Sequence, residues 1–265
     1  MSLLPIALIL GVVEGITEFL PVSSTGHLIL VSHVLGFSGR RAQVFEIFMQ
    51  LGAILAVVWE YRGMLFPLAR DLVGGRQSRV FAGRLLLAFV PFAFAGFAVH
   101  EFISANLFRP VTVAAALVAG AIAIFVVESR RLRSRTFETR AVDTRQALLI
   151  GLCQCAALWP GFSRSAATIL GGMLAGLDRR TATEFSFLIA IPTMLAATGY
   201  ELLAHHAWLE AGDVWGLGLA LVVSFAIALA TLRWLIRYVA SHDLRPFAWY
   251  RLALGVAVLL LLRGR

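Results

Sequence analysis

The sequence predicts an all-α polytopic membrane protein built as an inverted repeat, each half a re-entrant helical hairpin plus three transmembrane helices. Three observations point there. The 265 residues are 60% hydrophobic and only 14% charged, against about 25% charge in an ordinary soluble domain. Long apolar runs recur, separated by short polar gaps. The formal charge of +8 is carried by arginine alone, and the arginines gather in some gaps and avoid others. A mean hydropathy of +0.85 excludes a soluble enzyme, a disordered chain and a disulfide scaffold, because too little polar surface remains to cover a core of this size. A pI near 10.9 does not imply nucleic acid, since no aromatic residues interleave with the arginines along a groove. Cys153 and Cys155 sit in an apolar run as small core residues, with neither zinc nor disulfide spacing.

Taken in order, Met1 to Val13 lacks the basic start and small-x-small cleavage pattern of a removable leader. The chain is apolar from Leu3 only to Val13. Eleven residues at 1.5 Å rise reach about 16 Å, half of the ~30 Å of hydrocarbon. A polar stretch from Glu14 to His27 intervenes before Leu28 to Leu35 turns apolar again. This predicts a re-entrant hairpin, because irregular backbone at that depth is tolerated only inside protein or beside a wet cavity. The alternative, in which every half-helix spans, gives ten crossings. Val44–Trp59, Leu85–Val99 and Val111–Val127 are the next three spans. A basic linker, 129–144, joins the halves of one integral membrane domain, 1–128 and 145–265. Ala147–Trp159, the polar break Pro160–Ser165 and Ala166–Leu177 make the second hairpin. Glu184–Leu203, Trp215–Leu235 and Phe247–Leu262 complete the plan.

Local matches support the repeat. Gly11, Glu14 and Pro21 correspond to Gly151, Gln154 and Pro160, and Phe45-Glu46 to Thr183-Glu184. A hairpin adds no crossing and three spans are odd, so the halves run oppositely, as in many transporters with midplane sites. Arginine placement tests this. The gaps 60–84, 129–146, 179–180 and 233–245 are arginine-rich and fall on one predicted face. The gaps 100–110 and 204–214 carry Glu101, Glu210 and Asp213, with Arg109 the lone strong cation. The rich face is expected to be cytoplasmic, both termini outside, and the first hairpin to enter from outside. Arg40, Arg41, Arg263 and Arg265 run against the bias.

Ionisable groups inside apolar segments mark a functional site by default. Glu14 and Glu18, four apart, project from one helical face. Two such carboxylates either hold a divalent metal, divide the roles of base and metal ligand, or stay partly protonated on backbone donors. The turn Pro21 to His27 offers Ser23, Ser24, Thr25, the flexible Gly26 and the His27 imidazole. Its hydroxyls and free N–H groups suit phosphate oxygens. Ser24 or Ser23 is a candidate nucleophile, with His27 as base or proton donor; helix capping explains one hydroxyl but not three. The second break brings Ser163, Arg164 and Ser165, with Thr168 a turn later. An arginine at a helix N-terminus opposes the helix dipole unless an anion lies between them, and a guanidinium grips phosphate with two hydrogen bonds. A salt bridge from Arg164 to Glu14 or Glu18 is compatible with that role. Glu46, Gln50, Gln154 and Glu184 are weaker cavity candidates, and His205 and His206 read as solvated.

Glu14-Gly15-Ile16-Thr17-Glu18-Phe19-Leu20-Pro21-Val22-Ser23-Ser24-Thr25-Gly26-His27 resembles the first signature of the bacterial undecaprenyl-diphosphatase, or bacitracin-resistance, family, and Pro160-Gly161-Phe162-Ser163-Arg164-Ser165 resembles the second. The resemblance implies a multi-pass inner-membrane enzyme that removes the terminal phosphate of undecaprenyl diphosphate. It recycles the lipid carrier and requires a divalent cation, Mg²⁺ or Ca²⁺. It also implies a site of Glu14, Glu18, Ser24, Thr25, His27, Ser163, Arg164 and Ser165. The expected assignment has Ser24 attack phosphorus or position water, Glu14 and Glu18 bind metal and accept a proton, and Arg164 stabilise the transferring phosphoryl. His27 transfers a proton or is itself the nucleophile. Expected partners are a polyprenyl diphosphate lipid and membrane lipids, with no nucleic acid, a homodimer left open, and a chamber opening to the periplasm. The rival reading is an inverted-repeat transporter or flippase for an anionic lipid.

Overall fold

The computed structural model describes residues 3–205 and 211–263; His206, Glu210, Arg265 and the side chains of His205 and Arg263 lie outside the described residues. Eleven α-helices account for most of that chain. Leu3–Thr17 (α1) and Ser24–Val34 (α2) flank the first polar break, and Thr144–Gln154 (α7) and Arg164–Leu174 (α8) flank the second. Each break starts its second helix with a serine cap. The Ser23 and Ser163 side chains accept from the Gly26 and Ala166 N–H groups, and both caps hold positive φ, 74° and 76°. A side chain other than glycine at positive φ carries strain, so the same unusual turn sits at the same point of both hairpins. α7 has a capping box, Asp143 with Gln146, which satisfies two orphan donors at once.

Five described helices are long and apolar enough to cross a membrane: Arg40–Glu60 (α3), Arg76–Asn106 (α5), Pro110–Ser129 (α6), Arg179–Leu203, the greater part of Arg179–His205 (α9), and Val214–Val239 (α10). Arg245–Arg263 (α11) covers the sixth expected stretch. Two features differ from expectation. α5 runs well beyond Leu85–Val99 at both ends because helix propensity does not require hydropathy: Arg76, Arg79, Ala82 and Arg84 at one end and Glu101 and Ala105 at the other are good helix formers. A short helix, Arg62–Arg70 (α4), also occupies the gap read as connecting chain, burying Leu68 and exposing Phe66. Nine residues are too few for a search based on spans to find.

Packing sets the depth of the breaks. α1 starts beside α10, where a Cβ on Gly216 would touch Leu3, and ends with Gly15 against Ile227 and Ala228, halfway along α10. α2 then returns, and Phe37 just beyond it packs edge-on against Phe45 near the start of α3. α7 likewise lies on α5, Gly151 against the Ala88 backbone. The helices of one half therefore pack on the other: α1 on α10, α7 on α5, and α6 along α11. The main core lies between them, around Phe19, Phe185, Phe187, Leu188 and Ile189.

The arginine-rich gaps share one face. Arg233 Nε donates to Glu60 at 2.7 Å, Arg179 Nε donates to Glu128 at 2.9 Å, Arg245 donates to the Glu128 carbonyl, and the Arg135 N–H donates to the Gly176 carbonyl. On the opposite face Arg41 pairs with the buried Asp213 at 2.9 Å. This neutralises one of the arginines that ran against the charge bias.

Candidate active site

The two breaks meet. Arg164, first residue of α8, donates from Nη2 to Glu18 Oε1 at 3.0 Å, and Ser24, first residue of α2, donates from Oγ to Glu18 Oε2 at 2.6 Å. Glu18 lies just past the end of α1 but keeps the helical bond from its N–H to the Glu14 carbonyl at 2.9 Å, which holds it under α2. One carboxylate thus joins a hydroxyl from the first hairpin to a guanidinium from the second. The Arg164 and Glu18 side chains are only 11% and 9% exposed, so the pair is desolvated and each partner depends strongly on the other. Arg164 also donates to the Ser186 carbonyl in α9, while its Nε has no partner among the described residues.

Glu14 is fully buried, and neither of its oxygens has a hydrogen-bond partner among the described residues. Its charged neighbours are Glu18, Glu46 and Arg164. A buried carboxylate without donors needs a proton or a cation. Gln154 in the second half is buried just as completely. It donates to Thr193, and its carbonyl oxygen has no partner among the described residues.

The remaining predicted residues divide into two groups. Ser165 donates to the Leu20 carbonyl at 2.9 Å and lies 3.0 Å from the Ser163 hydroxyl, so it ties the second turn to the first. Thr168 back-bonds to the Arg164 carbonyl and meets the Ser186 hydroxyl. These groups, with Ser23 and Gly26, shape backbone. Thr25 and Glu46 instead line a cleft of about 670 Å³ with Leu10, Leu28, Phe37 and Phe108. His27 does not face Ser24. Its Nδ1 is 2.7 Å from the Ser23 carbonyl and its Nε2 is 2.6 Å from the Tyr250 hydroxyl, with the two rings stacked. A carbonyl only accepts, so Nδ1 carries hydrogen and Nε2 faces the tyrosine. Among the weaker candidates, Gln50 accepts from Thr198. Glu184 lies away from the site, paired with Arg180 at 2.9 Å beside Thr139 and Arg140.

Sequence reasoning passed over Ser186, Tyr250 and Arg251. Arg251 is fully buried and, among the described residues, donates to backbone carbonyls alone, including Pro21 of the first break and Gly161 and Phe162 of the second. An arginine a few residues inside the Phe247–Leu262 run was the available signal.

Comparison with known proteins agrees over nearly the whole chain. The family model described as bacitracin resistance protein BacA matches residues 7–257. A protein of Acinetobacter baumannii named undecaprenyl-diphosphatase is 48% identical over 255 residues, 96% of this chain and 94% of its own. Proteins of the same name from Dechloromonas aromatica and Laribacter hongkongensis are 49% and 48% identical, covering 96% and 97% of this chain and 92% and 94% of theirs.

Proposed function

The chain belongs to the bacitracin resistance protein BacA family, and from that premise we propose that it hydrolyses undecaprenyl diphosphate to undecaprenyl phosphate and inorganic phosphate. It thereby recycles the lipid carrier of cell-wall synthesis and confers bacitracin resistance. One observation carries the site assignment: Glu18 is held between the Ser24 hydroxyl and the Arg164 guanidinium, across two hairpins distant in sequence.

Ser24 Oγ attacks the terminal phosphorus. The bond from that phosphorus to the bridging oxygen breaks, and the lipid monophosphate leaves with the bonding pair. Glu18, already accepting from Ser24, takes the hydroxyl proton as base. Arg164 turns its fork toward the transferring phosphoryl, where a fixed guanidinium in a dry site stabilises developing charge. Water then cleaves the phosphoserine and regenerates the hydroxyl. His27, fixed by the Ser23 carbonyl and Tyr250, delivers or removes a proton at the rim of the turn.

A divalent cation, Mg²⁺ or Ca²⁺, fits this chemistry. The two oxygens of buried Glu14 are hard donors without a hydrogen-bond partner among the described residues, and Glu18 is a charged neighbour of Glu14. No cluster of three or more His, Cys, Asp or Glu residues occurs among the described residues. An ion held by one or two carboxylates would be held here by Glu14 and Glu18. When bound, the ion offsets the repulsion between the diphosphate and the carboxylates.

The fold reading that goes with this is an inverted repeat of two re-entrant hairpins. The matched positive-φ serine caps, the end of α1 halfway along α10, and the exchange of α1 and α7 onto opposite halves support it. Placing the arginine-rich face in the cytoplasm of a bacterial inner membrane turns the cleft lined by Phe37, Ser38, Phe108 and Pro110 toward the periplasm.

Phosphate release by detergent-purified protein tests the activity, since a carrier with no second compartment releases none. Quenching turnover in denaturant at neutral pH, where phosphoserine and phosphohistidine both survive, and mapping the phosphorylated residue tests the nucleophile: label on Ser24 is expected, and label on His27, or on no residue, would transfer the role.

A further inference from the structure

Arg251 is a buried cation of unusual kind. It sits in α11, fully enclosed, and no carboxylate pairs with it among the described residues. Its three nitrogens donate to five carbonyl oxygens of three separate segments. Nη1 donates to Pro21 O at 3.1 Å. Nη2 donates to Gly161 O at 3.1 Å, Phe162 O at 2.7 Å and Ala116 O at 3.3 Å, and Nε donates to Leu117 O at 3.2 Å. Pro21 precedes Ser23 and Ser24, and Gly161 and Phe162 precede Ser163 and Arg164. Both positive-φ turns are therefore held by one guanidinium braced against α6.

The surroundings are shaped for that group. Gly120 in α6 leaves the space it occupies, and a Cβ there would overlap the guanidinium. Gly161, at φ 102°, carries one of the accepting carbonyls, and a Cβ on it would collide with the Val113 carbonyl. Irregular turns at membrane depth expose carbonyls that water does not reach. A planar fork with five fixed donors satisfies several of them at once, which a lysine with three donors on one atom does not.

We infer that Arg251 is a positioning residue for the phosphatase site, pinning the two polar turns at the separation that brings Arg164 and Ser24 onto the same Glu18 carboxylate. The inference rests on the proposed site. Arg251 touches no oxygen of Glu18 and acts through the backbone of both turns.

Two variants disturb the pin differently. Arg251→Lys keeps the charge and loses the fork; Gly120→Ala keeps Arg251 and displaces its guanidinium. In detergent micelles containing undecaprenyl diphosphate, each is expected to lower kcat at least tenfold with KM within threefold of the parent. Combined with Arg164→Lys, each should cost less than the product of the separate losses, since a mispositioned Arg164 has less to lose. Wild-type kcat in Gly120→Ala, a loss confined to KM, or fully multiplicative losses would each overturn the inference. If Arg251→Lys does not accumulate, Gly120→Ala and its double variant decide alone. Failure of the underlying site reading looks different: Arg164→Ala would itself retain turnover.

Discussion

Replacing Glu18 by glutamine asks the most of the proposed chemistry. The amide has nearly the size of the carboxylate, so the hairpins should keep their packing. Glu18 accepts two hydrogen bonds, from Arg164 at 3.0 Å and Ser24 at 2.6 Å, and a glutamine offers only one oxygen. That oxygen turns to Arg164, because an amide NH₂ against a guanidinium sets donor against donor, and the NH₂ is left facing the Ser24 hydroxyl. The hydroxyl then has no acceptor for its proton. General-base assistance contributes about 10²- to 10⁴-fold, equivalent to about 2.7–5.4 kcal/mol of barrier at ~1.36 kcal/mol per decade. Phosphate release from undecaprenyl diphosphate in micelles should therefore fall by two to four decades. Glu60→Gln, which loosens the surface pair with Arg233, should stay near wild type. Retention of more than a tenth of normal turnover by Glu18→Gln, with an unchanged melting transition, would refute the role of Glu18 as base.

Three further outcomes are expected. Chelation by EDTA should reduce phosphate release at least tenfold and excess Mg²⁺ or Ca²⁺ should restore it; unchanged rates would remove the cation from Glu14. In a cysteine-free background, a membrane-impermeant maleimide added to intact spheroplasts should label a cysteine at Gly212 and spare one at Arg133, and the reverse pattern would invert the assigned orientation. Gly52→Ala should lower the detergent melting midpoint without altering KM, because its Cβ would press on the Leu221 carbonyl and sit 3.1 Å from the Phe225 nitrogen. Such overpacking costs about 1–3 kcal/mol, and an unchanged midpoint would mean that α3 and α10 pack less tightly than described.

The helices were legible because a bilayer leaves few solutions. Apolar runs of about 20 residues must close their own hydrogen bonds, so Val44–Trp59 and Trp215–Leu235 could be read from hydropathy alone. The two polar breaks stood out for the same reason, since serine, threonine, arginine and glutamate are costly inside apolar sequence. α4 and the full length of α5 were not legible: nine amphipathic residues and a helix extending into charged flanks leave no mark on a span-length average. Within the site, Glu18, Ser24 and Arg164 were named from type and spacing. Their pairing was legible in part: Arg164 was expected on Glu14 or Glu18 and lies on Glu18, but the Ser24 bond to the same carboxylate was not read, because hydrogen bonding turns on ångström placement between segments distant in sequence. His27 shows the difference: adjacency to Ser24 in sequence suggested a base, yet its ring turns to Tyr250.

By itself the amino-acid order determined a polytopic helical protein, its two polar breaks and the chemical groups gathered there, because composition and periodicity report what each segment can bury. Only the tertiary structure decided that one carboxylate bridges the two polar breaks, that Glu14 is enclosed with no donor among the described residues, and that Arg251 of the last helix braces both turns. Those relations depend on which helix lies against which, and that is fixed by packing between distant segments, where small differences in contact outweigh anything a local pattern records.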